Sequence, residues 1–170
     1  LLTSCVRQKY VVMDMVHHNP GEAMTESKFL DPSFLKKNEY GAKVFFLFEA
    51  AQFGIDWKSF DPSLFPDTTE AGRWVAEKAE IIHKKYDAAK KEDLQVYCML
   101  DMLVLPSLLV EKHRTELTNE QGKLDISKPY TQLCIRELMK EMFETFPQLD
   151  GLVIRTGETY LHDAPYYVGN

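Results

Sequence analysis

The sequence predicts a parallel α/β fold built on four strands with helices between them. Three observations lead there. Four apolar runs, at residues 10–16, 42–48, 94–100 and 151–155, alternate with stretches whose apolar residues recur at helical spacing. The first run is rich in β-branched and apolar residues and lacks the two-residue alternation of a half-exposed strand, which argues for burial on both faces. Each run also ends in polar residues: His17, His18 and Asn19 after the first, Glu49 after the second, Asp101 after the third, and Arg155, Gly157 and Glu158 after the fourth. Parallel α/β folds, (β/α)8 barrels above all, gather their chemistry at the carboxyl ends of strands.

The elements follow in order. After the first strand, residues 17–29 form a long connection, and long βα connections usually carry function. Asp31 and Pro32 then open a helix as N-cap and first residue, with its end expected near Tyr40 and Gly41. The second strand leads into a Pro- and aromatic-rich stretch, 50–67, expected to form part of a pocket rim. Thr68 or Thr69 caps the next helix, in which Ala71, Trp74, Val75, Ile82, Tyr86 and Ala89 share one core-facing stripe. The third strand continues through 102–109 as an apolar loop interrupted by Pro106, and 111–128 reads as a polar, exposed excursion. Pro129 opens the last helix, with Ile135, Leu138, Met139, Met142, Phe143 and Phe146 along one face and Pro147 as its stop.

Short crossovers place successive strands side by side, so the four strands are expected in sequence order as the N-terminal half of a TIM (β/α)8 barrel. A complete barrel takes about 250 residues, whereas this chain has 170 and begins with Leu1. It is therefore expected to be one piece of a longer catalytic barrel, residues 10–170, preceded by a remnant or linker at 1–9. A small doubly wound domain is the alternative; it would require the strand order to reverse, and the Gly-rich phosphate loop of many such nucleotide binders is absent.

Net charge is −6 and the isoelectric point near 5.4, with Lys residues spread along helices, which speaks against nucleic acid as a partner. Cys98 falls in an apolar strand and Cys134 in an amphipathic helix, so both read as packing residues, and the three cysteines show no metal-ligand spacing. Cys5 differs. The run Leu1, Leu2, Thr3, Ser4, Cys5 resembles a bacterial lipobox, which implies acylation of Cys5, a lipid anchor and a periplasmic or cell-surface location; a cytoplasmic location is the alternative.

The candidate chemistry centres on Glu158. Gly157 before it would admit a ligand close to the backbone, and Arg155 could hold the Glu ionised or bind a substrate oxygen. A structural Arg–Glu pair is the competing reading. His17, His18 and Asn19, with Glu22 nearby, offer donors and acceptors suited to sugar hydroxyls, although adjacent histidines on an extended segment point opposite ways. Asp101 is either a ligand contact or a loop N-cap, and Asp14 lies inside the first strand as a possible buried partner. Trp57, Phe60 and Phe65 form one aromatic group, and Tyr160, Tyr166 and Tyr167 another; such rings stack on sugars or pin loops down. A metal site would prefer His-x-His after the first strand, which is absent, so no metal or cofactor is expected.

An acid closing the fourth strand is similar to the clan of (β/α)8 glycoside hydrolases, whose general acid/base is a Glu at the end of strand 4 and whose nucleophile is a Glu near the end of strand 7. The resemblance covers most of the chain as architecture and Glu158 as a matched position; the clan commonly has Asn where this chain has Gly157. It implies a carbohydrate substrate, with Glu158 catalytic and His17, His18, Asn19, Asp101, Arg155 and Tyr160 as substrate contacts. The second carboxylate would lie beyond Asn170, leaving this portion inactive alone. A metal-dependent barrel hydrolase and a non-catalytic carbohydrate-binding barrel are the alternatives of other classes.

Overall fold

The computed structural model describes residues 12–14, 28–46, 49–156, 159, 161 and 163–170. Four strands, β1 (Met13–Asp14), β2 (Ala42–Phe45), β3 (Gln95–Asp101) and, after a short strand β4 (Val104–Pro106), β5 (Gly151–Arg155), build the main sheet in the order β1-β2-β3-β5. Every pair is parallel: Met13 is in register with Ala42, Val44 with Tyr97, and Cys98 with Leu152. Among the described residues the strand order does not reverse.

Local signals set the helices. Asp31 caps α1 (Pro32–Lys37), its carboxylate accepting the Ser33 amide at 2.9 Å. The helix stops short of the expected end because Asn38 bonds back to Phe34 and Glu39 takes φ 64°, reversing the chain into β2. Thr69 caps α2 (Glu70–Lys91) through the Gly72 amide at 3.0 Å. Val75, Ile82, Tyr86 and Ala89 are buried as the stripe predicts, while Ala71 and Trp74 are half-buried.

Side chains alternate across a strand, so Val96, Cys98 and Leu100 of β3 share the face covered by α2. All three are fully buried, and Phe45 of β2 packs on Tyr86 at 4.7 Å between ring centroids. The last long helix, α5 (Pro129–Thr145), follows two short ones, α3 (Ser107–Lys112) and α4 (Arg114–Leu117). Of the expected stripe Ile135, Leu138, Met142 and Phe146 are buried, Met139 is half-buried and Phe143 is exposed, and the stripe widens to take in Thr131, Cys134 and Glu141. A single-sequence stripe that counted only apolar residues could not include Thr131, which bonds the Leu117 carbonyl, or Glu141, which accepts from Ser59.

Three stretches depart from expectation. Residues 50–67 are mostly core: Ala51, Phe53, Ile55, Trp57, Leu64 and Phe65 are buried in the main apolar cluster. The 3-10 turn Ala51–Gly54 lies so close to α2 and α5 that a Cβ on Gly54 would meet Phe146 at 2.7 Å and the Ala79 backbone at 2.9 Å. Residues 104–106, expected as loop, pair antiparallel with β6 (Tyr167–Gly169), which satisfies backbone groups while burying Leu105 and Tyr167. The excursion at 111–128 is anchored rather than free, with Leu117 and Leu124 buried and a bridge between Thr118 and Leu124.

A carboxylate–guanidinium pair at the strand ends and an adjoining groove

Asp101 and Arg155 are the last residues of β3 and β5, and the parallel register sets them opposite each other. They sit on the face that also carries Tyr97, Met99 and Val153, away from α2. Arg155 Nε donates to Asp101 Oδ1 at 2.6 Å and Nη2 to Oδ2 at 3.0 Å, a two-point fork. The Asp101 side chain is 5% exposed and that of Arg155 25%. A carboxylate this buried requires a charged partner, and the guanidinium supplies it in a geometry that a Lys could not.

This pairing corrects one expectation. Asp101 is not a loop N-cap; it ends its strand and engages Arg155, and Pro106 occupies the N-cap of the following helix. Arg155 gives its fork to Asp101, and Glu158, its partner in the competing reading, lies outside the described residues. The register of β5 is fixed from its other end by Asp150, whose carboxylate accepts the Val96 amide at 2.7 Å and whose own amide bonds the Val96 carbonyl at 2.8 Å. His17, His18, Asn19, Glu22, Gly157, Glu158, Tyr160 and Cys5 lie outside the described residues.

Glu49 is held on α2: its side chain pairs with Lys85, and its carbonyl accepts the Tyr86 hydroxyl at 2.9 Å. Cys98 is fully buried, takes the Ala51 amide on its sulfur at 3.3 Å, and has its thiol pushed up to about 11 by burial. Burial likewise raises the Cys134 thiol to about 11. Neither is a nucleophile at neutral pH. Among the described residues no cluster of three or more His, Cys, Asp or Glu side chains comes together, and no helix is long and apolar enough to cross a membrane.

The aromatic groups divide. Trp57, Phe65 and Tyr167 are buried, so these rings pin the loops. Tyr166 is half-buried and lines a hollow of about 340 Å³ with Phe65, Pro66, Ser107 and Leu108. A second hollow of about 390 Å³, lined by Trp74, Glu77, Lys78, Ile81 and Asp163, shares Pro165 with the first. The helical stripe had put Trp74 in the core. Trp74 packs against that core from the edge of the stripe while also lining the hollow.

No family model matches the chain, and no curated protein matches it. Among solved structures, it is similar to the crystal structure of a noncanonic maltogenic alpha-amylase from Thermotoga neapolitana, at 16% identity and a TM-score of 0.46, over 78% of this chain and 35% of the amylase chain. The chain thus spans about a third of that protein's length.

Proposed function

We propose that the chain is the amino-terminal portion of a (β/α)8-barrel glycoside hydrolase, with Glu158 as its general acid. The observation that carries this reading is the carboxyl edge of a parallel sheet in sequence order, where Asp101 and Arg155 form a buried charged pair three residues before Glu158. Barrels place their active sites on that edge.

In this reading Glu158 protonates the departing glycosidic oxygen. Arg155, oriented by Asp101, presents positive charge beside the strand end and favours ionised or hydrogen-bonded oxygens there. His17, His18, Asn19 and Tyr160 contribute hydroxyl contacts from the loops. Acylation of Cys5 would tether the enzyme to a membrane. The second carboxylate comes from the remainder of the barrel.

The test is Glu158→Gln in the complete enzyme. Turnover of unactivated glycosides should fall by roughly 10²–10⁴-fold, the usual worth of a positioned general acid. Aryl glycosides with acidic phenol leaving groups should lose much less, because they need little proton donation. Equal losses on both, or none, would remove Glu158 from this role and leave a carbohydrate-binding barrel as the better reading.

A further inference from the structure

The two hollows share Pro165 as a lining residue and are read as one groove, which nothing in the catalytic reading uses. Its walls come from the connection after β2 (Ser63, Phe65, Pro66), from the start of α3 (Ser107, Leu108), from the chain before β6 (Asp163, Pro165, Tyr166), and from α2 (Trp74, Glu77, Ile81). Trp74 of one hollow and Tyr166 of the other touch edge to face, 5.7 Å between centroids. Each hollow is at the low end of the volume of a small-ligand site. Leu108 and Ile81, both large apolar side chains left about two-fifths exposed, stand in the two hollows, one in each.

We propose that this groove binds a neutral oligosaccharide as an extended chain. The substrate class rests on the glycoside-hydrolase reading; the groove itself does not. Its lining is mixed along its whole length. Half-buried rings and prolines offer apolar surface to sugar C–H faces, and Ser63, Thr69, Ser107, Glu77, Glu111 and Asp163 offer hydroxyls and carboxylates to sugar hydroxyls. An amphipathic helix would require a continuous apolar floor, which these polar side chains interrupt. Three carboxylates against the single Lys78 disfavour an anionic ligand, as does the net charge of −6. Lys78 Nζ lies 5.3 Å from the centre of the Trp74 ring, both side chains half-buried, and an occupant stacking on that ring would displace it.

Trp57 is fully buried, so Trp74 is the indole placed to sense an occupant. Titration with cello-, malto-, xylo- and mannohexaose should give a saturable change in tryptophan emission with at least one of them, and Trp74→Phe should abolish that change. Calorimetry with the same hexaose should show affinity reduced at least about tenfold in Trp74→Ala and in Tyr166→Ala, with melting temperatures recorded to exclude unfolding. Failure of the groove shows in the binding of Trp74→Ala and Tyr166→Ala, and failure of the catalytic reading in the turnover of Glu158→Gln. Absence of binding by all four hexaoses, unchanged affinity in both folded variants, or preference for oligogalacturonate or a proline-rich peptide would overturn the proposal.

Discussion

Strands β3 and β5 lie side by side with Leu100 and Ile154 as register partners on the same face, yet Leu100 is 0% exposed and Ile154 46%. The two runs are almost equally apolar. β3 has β2 on one side and β5 on the other, and α2 covers its face; among the described residues β5 has a neighbouring strand on one side only. Apolar character therefore reports how a strand is meant to be buried, whereas its actual burial depends on which neighbours reach it. One residue further along, the same pair of strands ends in opposite charges that satisfy each other, so the edge is strongly tied at Asp101 and Arg155 and loosely covered at Ile154.

The largest effect should come from the covered side of this contrast. Leu100→Ala removes a fully buried side chain from the main cluster and should lower unfolding free energy by about 3 kcal/mol, within the 2–5 kcal/mol that such truncations cost. Chemical denaturation at constant m-value checks it. A loss below about 1 kcal/mol would mean that the interior of β3 is less closely packed than its burial indicates.

The charged end should respond next. Asp101→Asn leaves the Arg155 guanidinium facing a neutral amide in a site whose carboxylate is 5% exposed. Removing one partner of a fully buried pair costs about 3–5 kcal/mol; with Arg155 a quarter exposed, about 2 kcal/mol is expected. Arg155→Met should cost less in the Asp101→Asn background than alone, and a double-mutant cycle reads that coupling. Additive losses would show that the fork contributes nothing beyond its separate halves.

How far these features could be read in advance follows the same division. The parallel strands, their order, the caps at Asp31 and Thr69 and the helix opened by Pro129 rest on local residue chemistry, and these were legible. Strand-end polarity marked Asp101 and Arg155, but their partnership depends on register, which Asp150 sets by reaching Val96, 54 positions earlier in the chain. The antiparallel pair β4 and β6 and the buried loop 50–67 were not legible, because their apolar residues lack any periodicity and are organised by contacts made far away in sequence. Trp74 shows the limit from the other side, since a stripe assigns a face to a side chain without saying whether that face is closed.

The smallest expected effect is at the open edge. In these 170 residues by themselves, Ile154→Lys places a charge where the side chain meets solvent, on a strand paired on one side only among the described residues; in the complete barrel of the proposed function a further strand would pair there and the same substitution should cost more. Unfolding free energy should change by no more than about 0.5 kcal/mol, the usual range for exposed substitutions. The variant should also associate less at high concentration, because a lysine on an exposed strand edge opposes pairing with another chain. Sedimentation velocity across a concentration series, run beside the denaturation curve, separates the two readouts. A destabilisation above about 1.5 kcal/mol would place Ile154 in the same category as Leu100 and would end the distinction between a covered strand and an open one.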